Sequence, residues 1–275
     1  VLNKRHFIGR ARKIQIDAFK DNLIQKRFIV SPFPSINEKK ALNGEFQSNY
    51  WGEVQQYIDS DVNVNFLFMF TPSVDCKTVK EAIKKRDILQ KKSHGKRNYY
   101  FLEEWLSYRN LFKIAIDYFF LYRQSYNQAS IKQNAYIANS KISYWKLIKT
   151  EWLSSTRGVV AIDGCIKLKL FEECLKSFKD PLDGFYLLEN QPWERVFNYS
   201  WKNLFKAPLL GVQNAPFRPF DLRFYEDKRI YNNQYMSSLP IPDLLLTNGK
   251  YSENSILEFG YPKKSISYVE AYKYS

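Results

Sequence analysis

A short segment in the second half of the chain gathers two carboxylates and two carboxamides around one proline. Glu189, Asn190 and Gln191 precede Pro192, and Glu194 follows it. A carboxylate can act as a general acid or base, and carboxylates and amides together can hold hydroxyl groups, which both donate and accept hydrogen bonds. Glu189 and Glu194 are therefore the candidate catalytic residues, and Asn190 and Gln191 are candidate binding residues.

A predicted strand and a predicted helix position this segment. The apolar run Gly184–Leu188 is typical of a buried strand, and Pro192 suits the first helical turn because proline has a fixed φ and no N–H. The residues that predict the helix, down to Lys206, are Val196, Phe197, Tyr199, Ser200, Leu204 and Phe205. In open α/β sheets ligands bind at the carboxyl ends of strands. The alternative is that Glu189 or Glu194 only caps the helix.

The rest of the chain predicts an α/β fold, a Rossmann-like parallel sheet with helices on both faces plus a helical insertion. Strands are predicted over residues 28–30, 62–70, 208–212, 243–249 and 266–269. Helices are predicted over residues 10–25, 49–58, 158–178 and 252–259, with a charged, weakly helical segment at 79–97 and a loop at 31–34.

Residues 99–148 are predicted to be almost wholly helical and are dense in aromatic side chains. Such stripes usually pack in a core or between helices, and the alternative is contact with a membrane or a partner. The predicted organisation is an N-terminal βαβ-like portion (1–98), a helical insertion (99–157) and a parallel α/β portion (158–275), all within one domain.

Amide side chains follow two further predicted strands. Gln213 and Asn214 end one strand, and Asn248 ends another. Because the carboxyl ends of parallel strands meet at one edge of a sheet, these residues are expected to share a rim with Glu189. Amides and carboxylates at a rim suit sugar hydroxyls.

A polar loop after residue 216 carries Arg218, Asp221 and Arg223. The arginines can hold a phosphate or carboxylate through paired donors, and these residues complete the predicted binding set. The alternative is that both arginines pair with Asp221 and Glu226 on a solvated loop.

Neither a metal nor a cofactor is predicted. The three cysteines have no metal-ligand spacing and there are two histidines, a composition that favours a reducing, cytoplasmic compartment. Glycine-rich phosphate loops, nucleophile elbows and zinc motifs are absent from the sequence. The sequence also lacks a continuous apolar stretch of the about 20 residues that a membrane-spanning helix needs.

The net charge of +14 is spread over most of the 275 residues. Basic proteins attract nucleic acid, anionic membranes or anionic substrates. No nucleic-acid recognition motif accompanies the charge, so nucleic acid is not a predicted partner. The spread charge fits a protein that works near anionic lipid or handles sugar nucleotides.

Five segments resemble the bacterial surface carbohydrate biosynthesis proteins, glycosyltransferases of O-antigen and capsule loci. They are N-Y-W-G at 49–52, Y-L-L-E-N-Q-P-W-E-R at 186–195, G-V-Q-N-A-P at 211–216, F-D-L-R-F at 220–224 and L-P-I-P-D at 239–243. The E-N-Q-x-W-E core of that family is complete from Glu189 to Glu194. Asn214 stands where the family's G-x-Q-H motif has histidine, so an acid or base role is not expected at this position.

The resemblance implies a GT-B architecture, with two Rossmann-like domains facing across a cleft, and a distant likeness to enzymes that transfer Kdo from a CMP-activated donor. It implies a nucleotide-sugar donor and a glycan or lipid-linked acceptor. The chain starts without methionine, and its predicted strands are enough for one sheet. It is therefore expected to be the N-terminal, acceptor-side domain of a longer enzyme whose C-terminal domain binds the donor, cytoplasmic and peripheral on the inner face of the membrane.

In this interpretation Glu189 serves as base or nucleophile toward the anomeric centre, while Gln191 and Gln213 orient hydroxyls. Glu194 is the second candidate, or else supports the site or caps the helix. The alternative function is a non-catalytic scaffold or membrane-docking domain of a polysaccharide assembly complex. An epimerase would need a cofactor signature, which the sequence lacks.

Overall fold

The computed structural model describes residues 26–33, 36–37, 40–41, 43, 45–52, 55, 63–74, 76–93, 97–128, 130–137, 139–218, 224, 231 and 240–269. The helix predicted over residues 10–25 and most of the one predicted over 49–58 lie outside these residues. Residues 49–52, at the start of the latter, form a turn.

Seven strands of the described chain form one sheet in which every neighbouring pair is parallel. The strands are β1 (Arg27–Phe33), β2 (Val64–Phe70), β3 (Arg97–Phe101), β4 (Gly184–Leu188), β5 (Leu209–Gln213), β6 (Leu244–Thr247) and β7 (Ile266–Tyr268). Their spatial order is β3-β2-β1-β4-β5-β6-β7. The predicted α/β, Rossmann-like parallel sheet is confirmed.

Helices cover both faces of this sheet. They are α1 (Val79–Lys92), α2 (Tyr108–Asn127), α3 (Ser130–Asn134), α4 (Trp145–Arg157), α5 (Val159–Leu175), α6 (Pro192–Leu204) and α7 (Lys250–Glu258). Short 3₁₀ turns occupy Leu102–Trp105 and Lys263–Ser265. The helices α2, α3 and α4 of the predicted helical insertion lie between β3 and β4.

Two apolar cores lie on opposite faces of the sheet because successive side chains of a strand alternate. Val30 and Tyr186 face one core together with residues of α5, α6 and α7. Ile29 and Phe185 face the other, which α1 covers. Since both faces are buried, the central strands are largely apolar.

The strands β1 and β4 part at their carboxyl ends. β1 pairs with β4 from Phe28 to Val30 and with β2 as far as Phe33, whereas β4 continues beside β5 to Leu188. The strand order also reverses here, since β2 and β3 lie on one side of β1 and β4 to β7 lie on the other. Such a switch point opens a crevice where α/β proteins bind ligands.

The loop predicted at residues 31–34 is wrong over 31–33, which complete β1. The carbonyl of Phe33 accepts a hydrogen bond of 2.9 Å from Thr71 on the β2 side, and backbone groups alternate along a strand. Pro32 therefore faces the β4 side, where pairing has already ended. Its missing N–H costs no ladder hydrogen bond there.

The helix predicted from residue 99 is wrong at its start, because Arg97–Phe101 is the strand β3. Tyr99 and Phe101 face one core and Tyr100 faces the other. An aromatic run buried on both sides lacks polar alternation, so its sequence does not distinguish strand from helix. The predicted boundary between residues 98 and 99 falls inside this strand.

Candidate functional site

The turn between β4 and α6 has a left-handed residue. Asn190 has φ +61°, a conformation that asparagine tolerates better than most residues other than glycine. The backbone N–H groups of Glu189, Asn190 and Gln191 converge on one point as a result. Consecutive N–H groups in such a turn form a concavity that binds anions.

The protein's own Glu194 fills this concavity. Its Oε1 accepts hydrogen bonds from the N–H groups of Glu189 and Gln191, both at 2.9 Å, and its Oε2 accepts one from Asn190 at 3.1 Å. Glu194 is 3% exposed. Burial raises the pKa of Glu194 to about 7, with the Glu189 carboxylate adding to the increase and the three N–H groups opposing it. This geometry supports the capping role for Glu194.

Glu189 occupies a different position, at the sheet edge beside the switch point. It is half-buried, and its Oε1 accepts a hydrogen bond of 2.5 Å from Nδ2 of Asn214. Asn214 is buried, and no described residue donates to its Oδ1. The bond joins the carboxyl ends of β4 and β5, so a carboxylate and an amide are held together at the rim.

The other predicted rim residues form a network beside this pair. Oε1 of Gln213 accepts a hydrogen bond of 3.2 Å from the N–H of Asn248, and its Nε2 donates to the carbonyl of Ala215 at 2.9 Å. The Asn248 side chain donates to the same carbonyl at 3.2 Å and accepts from Ser252 at 3.1 Å. The expectation of a shared rim is confirmed, and Gln213 and Asn248 hold the loops in place.

The predicted basic residues are only partly described. Arg218 is exposed, and Asp221, Arg223 and Glu226 lie outside the described residues, so the alternative pairing of the two arginines stays a prediction. Arg195, which is not among the predicted binding residues, lies beside the turn: its Nη2 donates to Oδ1 of Asn190 at 3.2 Å.

A small cavity lies behind the turn, on the buried side of α6. Glu194 and Asn198 line it from α6, with Tyr186 from β4 and Tyr261 from the segment after α7. Its volume of about 30 Å³ is room for about two water molecules. We assign a ligand to the rim, where the Glu189 carboxylate is half-buried, and none to this cavity.

Glu194 is among the residues predicted from the sequence, whereas Asn198 and Tyr261 are not. Asn198 donates to the Tyr186 hydroxyl at 3.0 Å and to the Glu194 carbonyl at 2.7 Å, and within the described chain its Oδ1 and the Tyr261 hydroxyl have no partner. Burial raises the pKa of Tyr186 and of Tyr261, so both hydroxyls stay protonated. The apolar pattern of α6 does not indicate Asn198, which is polar and buried, and the prediction that Tyr199 belongs to the apolar stripe is wrong because Tyr199 is 49% exposed.

Over the described ranges, no group of three or more histidine, cysteine, aspartate or glutamate residues is placed to hold a metal ion. Nor does any helix within them have the length and apolar character needed to cross a membrane. Comparison with family models, curated proteins and solved structures finds no match to this chain.

Proposed function

We propose that this chain is a glycosyltransferase, or the acceptor-side domain of one, that transfers a sugar such as Kdo from a nucleotide donor in bacterial surface polysaccharide biosynthesis. The observation that carries the proposal is the hydrogen bond between Asn214 and Glu189 at the carboxyl edge of the sheet. The E-N-Q-x-W-E resemblance supports it independently.

The chemistry follows from the position of Glu189. One oxygen of the carboxylate is bound by Asn214, which fixes the orientation of the group. The carboxylate then accepts the proton of an acceptor hydroxyl as that oxygen attacks the anomeric carbon of the donor. The bond from the anomeric carbon to the nucleotide phosphate breaks, and the nucleotide leaves with the electron pair.

The roles of the two carboxylates are divided in this proposal. Glu194 is buried and holds the turn, and the half-buried Glu189 meets the substrate. Gln191, which is exposed at the start of α6, contacts sugar hydroxyls. The nucleotide belongs to a second Rossmann-like domain of the GT-B pair, and the lipid-linked acceptor places the enzyme at the inner face of the cytoplasmic membrane.

One observation favours a second candidate, a non-catalytic membrane-docking domain of a polysaccharide assembly complex. Large aromatic side chains of α2 are exposed. The two candidates predict different effects of substituting Glu189 on sugar transfer, because membrane docking does not need the Glu189 carboxylate.

The deciding experiment replaces Glu189 with glutamine in the full-length protein. We expect Glu189→Gln to lower the rate of sugar transfer at least about 100-fold, the range of general-base catalysis, with an unchanged melting temperature. Glu258→Gln, an exposed glutamate at the end of α7, is the matched control and keeps the full rate. Transfer that survives Glu189→Gln overturns the assignment.

A further inference from the structure

The outer side of α2 carries a stripe of large apolar side chains. Its members are Tyr108, Phe112, Ile116, Phe119 and Phe120, which are between 39% and 77% exposed. Their spacing of three and four residues places them on one side of the helix, and we call them the α2 stripe. Contiguous apolar patches of this kind mark interaction surfaces.

The opposite side of α2 is anchored in the protein. Asn110, Ile114 and Ser125 are buried, and Asn110 donates to the Trp105 carbonyl at 3.0 Å. Near the other end, Nε of Arg157 donates to the hydroxyl of Ser125 at 2.6 Å. Because α2 is fixed along its length, the α2 stripe is presented outward by a rigid helix.

The charges around the α2 stripe are mostly basic. Arg109 and Arg123 are exposed, Lys113 is half-buried, and Asp117 is the one acidic residue of the α2 sequence. From residue 108 to residue 157 the sequence has eight Lys and Arg against two Asp and Glu, a net charge of +6. The apolar surface therefore lies within a positive field.

We propose that α2 lies flat on an anionic lipid bilayer, with the α2 stripe inserted at the boundary between headgroups and acyl chains. Aromatic side chains suit this boundary, and flanking arginines bind lipid phosphates. The α2 stripe runs from residue 108 to residue 120 of the helix, about 18 Å along its axis, so its five side chains can contact one flat surface together. The net charge of +6 from residue 108 to residue 157 complements the negative charge of an anionic bilayer.

This inference deepens the location in the proposed function and rests on it for the biological setting. Vesicle binding by α2 does not require sugar transfer. Transfer that survives Glu189→Gln overturns the proposed function alone, and failure of the parent chain to bind vesicles overturns this inference alone.

The test is co-sedimentation of the full chain with vesicles of phosphatidylcholine alone and of phosphatidylcholine with about one-third phosphatidylserine. We expect binding to the anionic vesicles only, weakened by salt. The double variant Phe112→Ser with Phe119→Ser should bind at least about tenfold more weakly, since each phenylalanine loses apolar burial. Arg109→Gln with Arg123→Gln should also lose about tenfold or more, because each basic residue near an anionic surface contributes to binding.

The matched controls replace exposed apolar or basic side chains that lie outside α2. Val74→Ser with Tyr199→Ser removes two exposed apolar side chains, and Lys84→Gln with Lys91→Gln removes two exposed charges from α1. Both should bind within about twofold of the parent chain. Equal losses in variants and controls, or no loss in Phe112→Ser with Phe119→Ser, overturn the proposal. The proposal is also overturned if the parent chain is a dimer, and if Phe112→Ser with Phe119→Ser makes it a monomer without changing vesicle binding.

Discussion

Nδ2 of Asn214 lies 2.5 Å from Oε1 of Glu189, and this side-chain hydrogen bond links the ends of β4 and β5 at the rim. Asn214 also donates its backbone N–H to the carbonyl of Leu188, at 3.4 Å. An amide can donate to a carboxylate without adding charge. Asn214 can thus orient Glu189 while leaving it free to accept a proton from a substrate.

The first prediction concerns the effect of a negative charge at position 214, beside Glu189. Asn214→Asp places a second carboxylate against Glu189, and two like charges at this distance cannot both ionise without cost. At low pH the pair shares a proton, and at high pH it repels. We expect the variant to lose about 2 kcal/mol of unfolding free energy at pH 8 and distinctly less at pH 4.5, measured by urea unfolding at both values.

Asn203→Asp is the control for that experiment, because Asn203 is exposed on α6 and gains the same charge. Its stability should change by less than about 0.5 kcal/mol at either pH. Equal losses for Asn214→Asp at pH 4.5 and pH 8 would show that the hydrogen bond to Glu189 is not the cause.

The second prediction concerns the pH dependence of stability through Glu194. Burial is the main cause of its raised pKa, about 7 in the fold against an ordinary 4.5. A raised pKa means that the folded state holds the proton more tightly than the unfolded state. This contribution is present in full below pH 4.5 and is lost as the pH rises through 7. It falls by about 2 kcal/mol between pH 5.5 and pH 8.5.

Glu194→Gln removes the titrating group. The decrease in unfolding free energy from pH 5.5 to pH 8.5 should therefore be about 2 kcal/mol smaller in the variant than in the parent chain. Glu258→Gln should keep the parental slope. An unchanged slope in Glu194→Gln would refute the assignment of this pH dependence to Glu194.

The sequence predicts the rim well because it follows from topology. Gln213 and Asn248 are 35 residues apart, yet both end parallel strands, and parallel strands bring their carboxyl ends to one edge. The apolar runs predict the strands, and the strands in turn predict that Gln213 and Asn248 lie close together. The same reasoning placed Glu189 beside Asn214.

The role of Glu194 was not predictable in the same way. Capping was one of two alternatives, and the choice depends on the left-handed Asn190, which aligns the three N–H groups. Residue types alone do not specify a positive φ. The cavity is harder still, because Tyr261 reaches Asn198 and Tyr186 from a distant part of the chain, and only tertiary packing brings them together.

The third prediction tests whether the backbone of Asn190 determines the turn. Asn190→Gly and Asn190→Ala both lose the hydrogen bond from Arg195 to Oδ1, so their difference isolates the cost of the left-handed conformation at φ +61°. We expect the alanine variant to be about 1 kcal/mol less stable than the glycine variant. At Lys84, exposed within α1, the order should reverse, with glycine about 1 kcal/mol less stable than alanine. Thermal or urea unfolding of the four variants measures both differences, and the same order at both positions would mean that the turn does not require a left-handed residue at 190.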